Sequence, residues 1–182
     1  MTSEELLPQK QWYAMRATYG RNMVVRRRLD EWGVESFVPM RYRLVRRGRS
    51  VRRELEPVIR DLIFVRTTAD NILLIKSKID FLHYITRPED GRNVPIVVPE
   101  GEMTQFVAVA ATYDEQLLYL DAEAVDMRAG QRVRIHGGPF NGCEGRFMKV
   151  AGARNRRVVV AVEGVIAVAM VTADVAQIEQ LD

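Results

Sequence analysis

Thirteen arginines fall between Arg16 and Arg60 among few carboxylates, whereas Pro99 to Met127 holds seven acidic residues and no lysine or arginine. A guanidinium offers a planar fork of donors, suited to two-pronged contact with phosphate or carboxylate and to stacking on bases. Arg41, Arg43, Arg46, Arg47, Arg49, Arg52 and Arg53 crowd one short stretch, and Arg26 and Arg27 stand close before it. The chemistry open to these residues is adhesion to a polyanion, with a solvated basic face as the plainer alternative. Bond-making chemistry has little to draw on. His83 and His136 lack any ligand spacing, Cys143 has no histidine nearby in sequence, and the Gly137-Gly138 pair does not introduce a helix as a phosphate loop does. Glu54/Glu56 and Asp121/Glu123 read as surface charge. The expectation is a binding protein with no catalytic residues, no metal and no cofactor.

Those arginines need elements to hold them. Residues 1–10 read as a frayed leader, and 11–17 as a strand with Trp12, Ala14 and Arg16 on one face. Val25, Leu29 and Trp32 make a helical stripe over 22–32, with Asn22 as its cap and Gly33 as the left-handed residue that ends it. That places Arg26 and Arg27 outward. Residues 35–45 form a strand interrupted by Pro39, and Arg46 to Ser50 turns the chain into 51–55, which makes an arginine-rich hairpin. Leu62 to Val65 is the strongest central strand. A helix over 70–78 with Leu73, Leu74 and Ile75 inward follows, then strands at 81–86 and 95–98 around a turn at 88–91. Pro99 opens a last helix with Met103, Phe106, Val107 and Ala110 on one face. Helices interleaved with strands in this way give an α+β sandwich on an antiparallel sheet.

Residues 113–127 show no strong period and read as an acidic connector. Beyond them lie five strand candidates, 132–137, 143–150, 156–162, 165–171 and 175–179, and the fourth and third form a hairpin about Glu163-Gly164. That is the content of a small SH3-like barrel. The whole chain has 182 residues, nearly half of them apolar, with net charge +3. It holds one cysteine, which fits a reducing cytoplasm, and shows no membrane span or basic signal segment.

Within the last third, Val133-Arg134-Ile135, Gly138-Pro139-Phe140, Gly142 and Gly145 resemble the KOW motif of the NusG family of transcription elongation factors, which also occurs in some ribosomal proteins. Trp12-Tyr13, the helix after them, Phe37-Val38-Pro39, the basic hairpin and the strand at 59–65 resemble the NusG N-terminal (NGN) domain in the same order. The resemblance implies an NGN domain over 11–112, a linker over 113–127 and a KOW domain over 128–182. It is nearest to the specialised paralogues typified by RfaH and by the UpxY proteins of capsular polysaccharide operons. The short connection is similar, and Ile59-Arg60-Asp61-Leu62 replaces the usual Phe-Pro-Gly-Tyr.

What the resemblance implies is a bacterial, cytoplasmic, monomeric factor that bridges the β′ clamp and β lobe of RNA polymerase and suppresses pausing and termination. Trp12, Arg16, Leu62 and Phe64 would seat on the clamp, with Leu62 and Phe64 alternatively core residues. The nine arginines named above would meet upstream or non-template DNA. Ile135, Gly138, Pro139, Phe140 and Ile166 would recruit a ribosomal small-subunit protein or Rho, or else fill the barrel. Two other functions stay open, a general NusG factor and a ribosome-associated KOW protein that binds RNA.

Overall fold

The computed structural model describes residues 7–171 and 177–182. In chain order the elements are β1 (Gln11–Ala17), α1 (Asn22–Glu31), β2 (Glu35–Phe37), β3 (Met40–Arg47), β4 (Ser50–Pro57), β5 (Leu62–Thr67), α2 (Ala69–Lys78), β6 (Leu82–Tyr84), β7 (Thr86–Glu89), β8 (Arg92–Pro95), β9 (Val97–Val98) and α3 (Glu100–Ala110). Then follow β10 (Leu118–Asp121), β11 (Gln131–Ile135), β12 (Glu144–Met148), β13 (Arg157–Val162), β14 (Ile166–Met170) and β15 (Ile178–Gln180). Class and order are those expected, α+β first and strand-rich after. Two compact units result, one joining the chain up to Val38 with Ile59–Glu100, the other joining Pro39–Val58 with Gly101–Asp182.

In the first unit the sheet runs β2-β5-β1-β6, all antiparallel, and β9 pairs with the stretch of β1 that β6 leaves free. The near-continuous apolar runs of β1 and β5 follow from burial on both faces, since alternation appears only where one face is wet. At the end of α1, Gly33 takes φ +67, its N–H donates to the Asp30 carbonyl and that of Val34 to Leu29. This paired closure needs a left-handed residue, which glycine supplies without strain. The helix start differs from expectation. Asn22 does not cap; it is buried and its Nδ2 donates to the carbonyls of Ile59 and Leu62, both at 3.0 Å, which ties α1 to the segment leading into β5. Trp32, expected in the buried stripe, is half-exposed.

Thr68 caps α2 by accepting from the Asn71 N–H. The buried residues of this helix are Ile72 and Ile75, while Leu73 and Leu74 point to solvent, against the expected inward set. Four consecutive apolar residues cannot share one helical face, and only the pair three apart does. Residues 86–95 hold more than a turn. β7 and β8 pair around Asp90-Gly91, both with positive φ, as a two-residue Asp-Gly loop requires.

In the second unit β3 and β4 pair over their whole length around Gly48-Arg49, with Gly48 at φ +62. The C-terminal sheet runs β10-β14-β13-β12-β11-β15. Its first strand lies inside the 113–127 stretch read as an acidic connector. Leu118 to Asp121 pairs with Ile166 to Ala169, and Leu118 and Leu120 pack on a cluster of Val150, Val159, Ala167 and Ala169. The β13–β14 hairpin forms as expected, with Gly164 at φ +75. Gly145 is needed for a different reason: a Cβ there would lie 2.6 Å from the Val159 carbonyl oxygen. Of the expected strand 175–179, residues 175–176 lie outside the described residues, as do 1–6 of the leader.

The hairpin β3–β4 and α3 belong with the C-terminal strands in this division, whereas the sequence puts them in the first domain. Contacts inside the second unit account for it. Arg53 Nε lies 2.8 Å from Glu115 Oε1, and Tyr42 meets Tyr113 edge-on with centroids 6.1 Å apart. The side chains of Glu102 and Gln105 on α3 accept from the backbone N–H groups of Glu163 and Glu144.

Candidate nucleic-acid interface

Cross-strand pairing sorts the hairpin into two faces. Arg41, Arg43, Val45, Arg47 and Arg52 share one with Glu54 and Glu56; Tyr42, Leu44, Arg46, Val51, Arg53 and Leu55 share the other. On the first face the positive charge is partly neutralised. Glu56 lies 3.6 Å from Arg41 and 3.5 Å from Arg43, and Glu54 accepts from Arg47 at 3.1 Å. The hydrogen bond from Arg47 holds the Glu54 carboxyl below its usual range, and Glu54 in turn raises Arg47. These pairs are exposed, so each adds little to stability, but each lowers the charge offered outward. On the second face Arg53 is engaged with Glu115 and lies 3.9 Å over the Tyr42 ring.

Among the described residues, Arg46, Arg49 and Arg52 have no ion pair within the 4.0 Å limit of the others, and they lie at or beside the hairpin tip. The tip therefore carries the free positive charge that the composition of the stretch suggested for the whole hairpin. On α1, Arg27 is exposed on the side away from Val25 and Leu29, and Arg26 is half-buried at the flank of that buried stripe.

The sheet residues expected to meet a polymerase are mostly core. Leu62 and Phe64 are 2% and 0% exposed and Trp12 6%, because β5 is paired on both edges and covered on both faces. Of the four, only Arg16 has an open side chain, 59% exposed, and it pairs with Asp61 at 3.3 Å. The apolar KOW-loop residues take the barrel-filling alternative in the same way. Ile135, Phe140 and Ile166 are buried. The loop is closed by Cys143 N–H to Phe140 O, Gly142 N–H to Ile135 O and Gly137 N–H to the Asn141 side chain, so Phe140 turns inward. It borders a cavity of about 220 Å³ together with Leu117 and Val171. Gly138 and Pro139 stay exposed at the tip.

His136 Nε2 lies 2.7 Å from Glu179, whose carboxyl it holds below the usual range. His83 is exposed, and Cys143 is buried with its thiol pushed up by burial. Among the described residues no group of three or more His, Cys, Asp or Glu side chains is placed to hold a metal ion. No helix among them is long and apolar enough to cross a membrane.

One cluster escaped the sequence reading. Tyr19 and Arg21, from the junction of β1 and α1, gather with Arg28 of α1 around Phe81, which precedes β6. The signal for it was an aromatic residue beside a glycine at a strand-to-helix junction.

Comparison with known proteins places the chain. No curated protein matches it. It is similar to a solved structure described as "Domain interaction in Thermotoga maritima NusG", with 19% identity and a TM-score of 0.45 over 96% of this chain and 98% of that one. The family model described as "Transcription termination factor nusG" matches residues 10–107. That match spans more than half of the sequence, from the first strand to the last helix of the α+β part, and the chain belongs to the NusG family.

Proposed function

We propose that the protein binds bacterial RNA polymerase and acts as an elongation and antitermination factor, without catalysing a reaction. The observation that carries this reading is membership, across residues 10–107, of a family of transcription factors that bind RNA polymerase. Residues 11–112 serve as the polymerase-binding domain, 113–127 as the connection and 128–182 as a recruiting module. Arg16 supplies the exposed part of the β′ clamp contact, and the protein bridges that clamp and the β lobe. The exposed Gly138-Pro139 tip is the part of the KOW loop open to a ribosomal small-subunit protein or to Rho. Departure from the family pattern at Ile59-Arg60-Asp61-Leu62 supports service to a restricted set of operons, of the kind that encode surface polysaccharides. The setting is the cytoplasm.

Arginines that neutralise phosphates release counterions, so the hairpin's contribution to DNA binding must fall with salt. Substituting alanine for Arg46, Arg49 and Arg52 together should lower the slope of log affinity against log salt by about two units, at roughly 0.7–0.9 per lost phosphate contact. Arg47→Ala alone should change it by less, since Glu54 already holds that charge. Titrating upstream or bubble DNA at several salt concentrations measures both; an unchanged slope for the triple variant would remove the hairpin from the interface.

Affinity purification tests the reading as a whole. Recovery of polymerase subunits, with fewer pauses in single-round transcription on adding the protein, is the expected result. Recovery of ribosomal subunits alone would overturn it.

A further inference from the structure

Tyr113, just past the end of α3, sits at φ +52. Chains that leave a helix through a left-handed residue mostly place glycine there, because a Cβ is disfavoured in that region. A tyrosine in its place is strained, and the strain persists only where the surroundings hold it. Here the ring makes the edge-on contact with Tyr42 of β3, and two residues further on Glu115 Oε1 meets Arg53 Nε of β4 at 2.8 Å. Arg53 in turn lies over the Tyr42 ring, so these side chains close one contact between the connector and the second face of the hairpin.

The closed arrangement has a further cost. The Tyr119 hydroxyl is buried without a hydrogen-bond partner among the described residues. Burial pushes its pKa up to about 12, with Tyr113 adding to the shift and Arg41 opposing it, which puts the hydroxyl near the same contact. The ion pair adds little in compensation, since the side chains of Arg53 and Glu115 are 52% and 60% exposed. A contact that is strained, leaves a buried hydroxyl bare and is held by an exposed pair is one that a competing anion can open.

The competitor has a definite chemistry. A carboxylate oxygen so close to a guanidinium nitrogen stands where a phosphate oxygen would. Arg46 shares the second face with Arg53, diagonally across the strand pair, so a phosphate backbone held at the tip meets Arg53 next. We propose that Glu115 is an internal stand-in for phosphate: the connector and a nucleic-acid backbone compete for Arg53, and the hairpin offers that charge only when the connector lets go. The inference rests on the hairpin being a DNA contact, and it concerns the second unit alone. By reciprocity, the factor by which the closed connector weakens DNA binding is the factor by which DNA loosens the connector.

The test uses the full-length protein and a fluorescein-labelled DNA bubble, titrated at several salt concentrations. Glu115→Gln should tighten binding about two- to fivefold, the equivalent of one exposed ion pair, and steepen the salt slope by about 0.7–0.9, one added phosphate contact. Glu123→Gln removes an equal charge from an exposed carboxylate of the same connector and should leave both nearly as they are. In an Arg53→Ala background Glu115→Gln should have no effect, because the group it frees is gone. A parental slope in Glu115→Gln, or an equal gain in Glu123→Gln or in the Arg53→Ala background, would overturn the proposal. If the triple substitution of Arg46, Arg49 and Arg52 leaves the slope unchanged, the hairpin falls as a DNA contact and this competition with it. If the triple substitution lowers the slope while Glu115→Gln shows no gain, the competition alone falls.

Discussion

Replacing Phe64 with alanine should lower the unfolding free energy by about 3–5 kcal/mol, the usual cost of truncating a fully buried aromatic ring. Its side chain is 0% exposed on a strand paired at both edges. Urea denaturation followed by tryptophan fluorescence measures the change, since Trp12 lies on the neighbouring strand. The experiment bears on function too. A residue reserved for polymerase would, once truncated, leave the melt unchanged and abolish only recovery of polymerase. Arg16→Glu is the opposite case: its side chain is exposed and its pair with Asp61 is worth little, so stability should hold while polymerase recovery falls.

Gly145→Ala should cost about 2–3 kcal/mol, for a reason unrelated to conformational freedom. The added methyl would sit 2.6 Å from the Val159 oxygen, 3.2 Å from its carbon and 2.8 Å from Val158 Cγ1. Two of these atoms are backbone in the middle of β13, so the strand pair must part to admit it. Gly138→Ala gives the contrast. Nothing lies within 4 Å of the new atom, and the expected cost is only the left-handed penalty of about 1–2 kcal/mol. Chemical denaturation of the two variants should rank them in that order; equal losses would mean that β12 and β13 are looser than their register implies.

What could be read ahead of the structure was what the local backbone dictates. Gly33 closing α1, the Glu163-Gly164 hairpin and the left-handed Gly138 and Gly142 each answer a demand made within a few residues, whereas Gly145 answers one made by β13. Questions of side went less well, because a side chain's exposure is decided by whatever packs on it from far along the chain. Phe64 and Phe140 were open to either side, contact or core, and are buried; Leu73 and Leu74 were placed inward and are exposed. Strand β10 was missed since Leu118-Tyr119-Leu120 is too short to establish a period among acidic neighbours. The arginines stand together on one hairpin, but which of them are paired depends on the β3–β4 register, which sets Glu54 and Glu56 opposite Arg43 and Arg41.

The pairing of β10 along β14 has a bearing on how the C-terminal module behaves when cut out. Strand β14, Ile-Ala-Val-Ala-Met, contains neither charge nor proline, and β10 satisfies the hydrogen bonds along one of its sides. A fragment begun at residue 128 would leave that row bare, a template onto which a second copy can add its own strand. Such a fragment should precipitate or seed fibrils on storage, whereas one begun before Leu118 should remain clear.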